Sequence, residues 1–138
     1  MIQADYNIPI FNFDLKLVQI EEKDTLRDID ELLDKIGLVG EERHFINPSL
    51  VDGGHTMTNE NKRIIVVVFH RFINESAKIE TYGHEKRHVV DRICMSLDIQ
   101  DLETASYLSG YLEKIFYLQF DRLLNDTNEA KKIKSVDI

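Results

Sequence analysis

An α+β domain is predicted by three features: an alternating apolar stretch near the N-terminus, a continuous apolar run over residues 64–69, and three segments with apolar residues at helical spacing. The expected order is strand, helix, hairpin, helix, helix. The 138 residues match the commonest size of one domain, so residues 1–138 are read as a single unit. Hydrophobic residues make up 43% and charged residues 30%, a globular balance that excludes a disordered or disulfide-stapled chain. No apolar run approaches the roughly 18 residues of a membrane span, so no membrane association is expected. Residues 1–6 contain Asp5 and no basic cluster leading into an apolar stretch, so no secretory signal is read and a cytoplasmic location is expected.

The first strand is expected over residues 8–20, where Phe11, Phe13, Leu15 and Leu17 fall on alternate positions. Asp24 then caps a helix whose stripe is Leu26, Ile29, Leu32, Leu33 and Ile36, closed by Gly37. Residues 37–53 read as irregular, with Pro48 and the Asp52-Gly53-Gly54 cluster as turn signals. A hairpin follows, with a short strand at 55–58, a turn at 59–62 and a β-branched strand at 63–73. The run at 64–69 is apolar at every position, so both faces of that strand should be covered. Residues 74–83 are expected to be a loop before a second helix that begins at His84 and carries Val89, Ile93, Met95 and Leu97. A break at 97–101 leads to a third helix from Leu102 to about Leu124, and 125–138 reads as a polar, partly frayed tail.

Seventeen Lys and Arg against twenty-five Asp and Glu give a net charge of -8, which opposes binding to a phosphate backbone, so no nucleic-acid partner is expected. Nine carboxylates fall between Glu21 and Glu42 and read as a solvated acidic helix face. The single cysteine, Cys94, has no internal partner and reads as a small core residue.

Residues 84–88 spell His-Glu-Lys-Arg-His. Side chains four apart on a helix stand one above the other, so His84 and His88 can reach one zinc ion at about 2.0–2.1 Å each. Glu85, one position on, is rotated toward a water on such an ion and can take its proton and return it to a leaving group. A catalytic zinc needs a third protein ligand. The acids available beyond His88 are Glu103 in the first turn of the following helix, then Asp91 and Glu113. Glu103 in that position also has a purely structural reading, complementing the positive end of its helix, and Asp91 suits an outer hydrogen bond to a ligating imidazole. Tyr107, one turn beyond Glu103, can donate to an oxyanion or stand as a core tyrosine. His55 and His70 lack a partner at ligand spacing and read as structural or solvent-facing, and His44, in a loop before Phe45, carries no argument.

The stretches 84–91 (HEKRHVVD) and 101–108 (DLETASYL) resemble the zincin-like metallopeptidases of the gluzincin type, especially small members from bacterial and phage genomes. The resemblance is specific over residues 83–112 and architectural elsewhere. It implies a minimal zincin-like fold in which the second helix is the active-site helix and the third crosses it. It implies His84, His88 and Glu103 as zinc ligands with Glu85 as acid and base. It also implies an edge strand, sought in the hairpin at 56–72, that holds an extended peptide in an open cleft. The function expected is therefore zinc-dependent hydrolysis of a peptide or protein. The alternative from another class is a catalytically idle interaction or regulatory protein of the same fold, of prophage or mobile-element origin.

Overall fold

The computed structural model describes residues 1–38 and 42–136; the expected irregular segment at 39–41 and the tail at 137–138 lie outside the described residues. The described chain is α+β: a four-stranded mixed sheet with helices on both faces. The order across the sheet is β1 (Ile2–Ile8), β2 (Phe13–Gln19), β4 (Ile64–Phe69), β3 (Gly54–Asn59). The β1–β2 and β3–β4 pairs are antiparallel hairpins, and β2 runs parallel to β4. The connection from β2 to the second hairpin contains α1 (Leu26–Ile36).

The single strand expected over 8–20 is corrected. Residues 9–12 form a turn in which the Asn12 N–H donates to the Ile8 carbonyl at 2.8 Å, with Asn12 at a φ of 54° that asparagine tolerates. The strand before it, β1, alternates Ile2, Ala4 and Tyr6 toward the core with exposed Gln3, Asp5 and Asn7. In β2, Phe13, Leu15 and Leu17 pack on one face of the sheet while Val18 points to the other.

Helix α1 lies as expected, but its cap is Thr25, which forms a reciprocal capping box with Asp28; Asp24 instead accepts from the Glu21 backbone N–H. Gly37 ends the helix at a φ of 88°, a left-handed conformation that favours glycine. Ile29, Leu33 and Ile36 bury against Val18, Met57, Val66 and Val68, while Asp30, Glu31 and Asp34 remain exposed. Arg43, from the following loop, pairs with Asp30 and Asp34.

The opposite face is covered by α2 (Glu75–Ser96), α3 (Leu102–Glu113), a π-helical segment (Lys114–Phe120) and α4 (Asp121–Val136). The last three are consecutive, so the chain stays helical past Leu124, which corrects the frayed tail expected there. Ile65, Val67 and Phe69 of β4 face these helices, and Val66 and Val68 face α1, so β4 is covered on both sides. Phe69 is the hub of an aromatic cluster with Tyr82, Phe116 and Phe120 at centroid separations of 5.2, 6.0 and 5.8 Å. Rings at these distances hold α2 and the π-helical segment on the sheet. Among the described residues no helix is long and apolar enough to cross a membrane.

Candidate metal centre

Helix α2 begins at Glu75, where the Asn74 side chain caps the Ala77 N–H at 2.8 Å, so residues 75–83 are helix and not the loop expected there. Gly83 accounts for the difference: inside a helix it reads as a breaker, but here a Cβ would stand 3.3 Å from the Tyr117 hydroxyl. That hydroxyl donates to the Ile79 carbonyl at 3.2 Å. The glycine thus lets the π-helical segment pack closely at the turn that carries His84.

One face of α2, with Tyr82, Glu85, Val89 and Ile93, is buried, while the adjoining stripe carries exposed His84 and His88. Their Nε2 atoms stand 3.0 Å apart with ring centroids at 4.6 Å. Glu85 is only 3% exposed, and its Oε2 accepts from the Thr56 hydroxyl of β3 at 2.5 Å. Gly54 makes room for it, since a Cβ there would meet Glu85 Cγ at 3.0 Å. Donor atoms of His84, Glu85 and His88 all lie within 4.8 Å of one another, the one such group of three among the described residues. Two nitrogens about 3 Å apart can each sit at about 2.0–2.1 Å from a common ion, so the donor set fits zinc in atom type and spacing. A cleft of about 350 Å³ opens beside it, lined by Asp52, Gly53, Ala77, Glu80, Thr81, His84 and Glu85.

Glu103 does not join this group, which corrects the ligand set implied by the resemblance. Helix α2 continues beyond His88 to Ser96, about 12 Å further at the usual helical rise. The next helices then run back along it, as the Tyr117–Ile79 and Tyr82–Asp121 hydrogen bonds show. Glu103 therefore sits level with the far end of α2, exposed in the first turn of α3, where Asp101 caps its N–H. Tyr107 is 58% exposed and lines a small cavity with Ile8, Pro9, Ile10, Phe11, Leu108 and Tyr111, beside the β1–β2 turn and outside the cleft. Asp91 and Glu113 are exposed and also outside the three-donor group. Glu113 instead faces Tyr117, whose hydroxyl pKa is raised by burial and then by that charge.

Thr56, Gly54, Glu80 and Asp52 are missed by sequence reasoning as site residues, yet they hold Glu85 or line its cleft. Only the Asp52-Gly53-Gly54 cluster leaves a trace in the sequence, as a turn signal. A second cluster gathers the remaining histidines. His55 Nε2 lies 2.9 Å from His70 Nε2, and His55 Nδ1 lies 3.3 Å from His44 Nδ1. Burial first, and then the neighbouring His70 and His44, push the His55 pKa down to about 4; burial lowers that of His70. His55 and His70 meet because β3 and β4 pair with His55 opposite Val68, near the chain position of His70, and His44 joins them from the loop before β3.

Comparisons of the chain with protein-family models, with curated proteins and with solved structures find no match.

Proposed function

We propose that this chain is a zinc-dependent hydrolase acting on peptide bonds, with His84 and His88 holding the ion and Glu85 moving the proton. The observation that carries the reading is the placement of Glu85. A buried carboxylate, pinned by Thr56 beneath the outer strand of the sheet, stands beside two imidazole nitrogens 3.0 Å apart. A bound zinc ion supplies Lewis acidity toward the scissile carbonyl.

The chain's own residues account for the rest. Thr56 occupies Glu85 Oε2 and leaves Oε1 to accept a proton from the attacking water. The same carboxyl then returns that proton to the leaving amine. Among the described residues strand β3 pairs with β4 on one side only, so its outer edge offers backbone N–H and C=O groups to an extended peptide. Thr56 of that strand reaches Glu85, and a cleft of about 350 Å³ adjoins the group. The zincin-like reading of the fold rests on this pairing of an edge strand with the helix that carries the histidines.

A second reading is favoured by a specific observation: the three-donor group contains Glu85 and not Glu103. If Glu85 itself completes the ligand set, no base remains, and the protein is a metal-binding, catalytically idle relative of such enzymes. One substitution separates the two. In the hydrolase reading, Glu85→Gln retains zinc affinity within a few-fold and lowers hydrolysis of a peptide library by about 10²–10⁴-fold, the usual worth of a general base. In the idle reading, Glu85→Gln loses zinc from the His84–His88 site and the parent shows no hydrolysis to lose. In the first reading, His84→Ala and His88→Ala abolish hydrolysis and zinc binding at that site.

A further inference from the structure

The His44, His55 and His70 cluster is separate from the proposed hydrolytic site. Alternate residues of β3 point to opposite faces: Thr56 reaches Glu85 on the α2 side, whereas Met57 packs among the α1 core residues. His55 shares the side of Met57. His70 is 4% exposed and continues the β4 alternation of Val66 and Val68, which also face α1.

Three features of this cluster bear on its chemistry. First, the two Nε2 atoms face each other at 2.9 Å, nearly the separation of the His84 and His88 pair at 3.0 Å. Nitrogens at about 2.0–2.1 Å from one ion and about a right angle apart have this spacing. Secondly, among the described residues the ring nitrogens of His55 meet only other imidazoles, with no carboxylate or backbone group in hydrogen-bond distance. A half-buried ring whose two nitrogens meet only other imidazoles is poorly explained by packing alone. Thirdly, His44 stands behind His55. With the hydrogen of His55 on Nδ1 and donated to His44 Nδ1, the His55 Nε2 lone pair is aimed at His70. Ligating histidines carry an outer hydrogen bond of this kind, which fixes the tautomer and the ring orientation. His44 is itself fixed by its backbone N–H, which donates to Met57 Sδ at 3.5 Å.

We propose that His55 and His70 form a second binding site for a divalent ion of borderline softness, of the zinc, nickel and copper class, with His44 as the residue that positions His55. Both rings bind as neutral imidazoles through Nε2, and water fills the remaining coordination positions. In the ion-free chain one hydrogen must lie between the two Nε2 atoms. His70 supplies it, because the His55 hydrogen lies on Nδ1 toward His44 and leaves only a lone pair on His55 Nε2. Ion binding therefore sends the His70 Nε2 hydrogen to solvent while Nδ1 takes one up, a change of tautomer with no net gain or loss of protons.

The test uses the full chain carrying His84→Ala and His88→Ala, which removes the other site and keeps all three residues of this one. Zinc chloride is added while the imidazole nitrogens are followed by long-range proton–nitrogen NMR. The expected result is one equivalent of zinc bound, with the His55 and His70 Nε2 signals moving together and the His70 hydrogen passing to Nδ1. His44→Ala should weaken binding about 10–100-fold, the usual effect of losing an outer partner, and His55→Ala should weaken it by more. Unchanged ring signals at millimolar zinc would leave only a hydrogen bond between two imidazoles and overturn the proposal. So would binding that leaves the His55 and His70 signals in place. Because the ring signals are read with His44, His55 and His70 intact, neither outcome depends on a substituted cluster folding.

Discussion

Glu85 carries more of the functional case than either histidine, because its position is the costlier to maintain. An exposed imidazole needs no partner, whereas a carboxylate only 3% exposed must be hydrogen-bonded to remain where it is. Thr56 provides that bond and Gly54 the space. Thr56→Val keeps the shape but removes the donor, and we expect a loss of about 1–3 kcal/mol in chemical denaturation. Gly54→Ala places a methyl 3.0 Å from Glu85 Cγ and 3.2 Å from the Val68 carbonyl oxygen, so the carboxylate must shift. Peptide hydrolysis should then fall at least ten-fold with zinc retained. Unaltered stability in the first variant, or unaltered hydrolysis in the second, would show that the anchoring of Glu85 is immaterial. The His-Glu-x-x-His spacing is legible in the sequence because that relation is local to one helix. The role of Thr56 and the position of Glu103 are not, since both depend on how far α2 extends and where the chain returns.

At the scale of elements, sequence and structure part where one residue type has two meanings. Residues 2–8 alternate apolar and polar side chains as plainly as residues 13–17, and Pro9 between them marks a turn, but its apolar neighbours Ile8, Ile10 and Phe11 read as one continuous strand. Gly83 has the propensity of a helix edge, although its lack of a side chain serves the contact with Tyr117. The apolar run of β4 and the Gly37 helix stop agree between sequence and structure, because each is dictated locally by burial or backbone conformation. The loop that leads into β3 is tied to the sheet through Asp52 and Gly53, which pair with the Arg71 carbonyl and the His70 N–H, and through the histidine cluster.

That cluster makes stability depend on pH. An unfolded histidine titrates near ~6.5, whereas the His55 ring in the fold is held down to about 4, mainly by burial. Between those values the unfolded chain binds a proton that the folded chain refuses, so stability is full above pH ~6.5 and declines as the pH falls toward 4. After solvent screening of a half-exposed ring, the decline assignable to His55 is about 1–2 kcal/mol. Denaturation in the presence of a chelator at pH 7 and pH 5 should therefore show a smaller loss for His55→Asn than for the parent. Equal losses would mean that His55 is not held neutral by the fold.

Across the whole molecule, the sheet separates two histidine sites. One lies along α2 on the face anchored by the Phe69 aromatic cluster, and the other lies on the α1 face at the ends of β3 and β4. Fold class and the order of the central elements follow from periodicity, whereas the strand order β1-β2-β4-β3 does not, because parallel pairing of β2 with β4 leaves no local mark. The central claim is that His84 and His88 close on one ion. X-ray absorption at the zinc edge tests it most directly, on the zinc-loaded chain carrying His55→Ala and His70→Ala. The expected spectrum contains two imidazole nitrogens at about 2.0–2.1 Å with oxygen donors completing the shell; a chain that retains no zinc, or a zinc with fewer than two imidazoles, would contradict it.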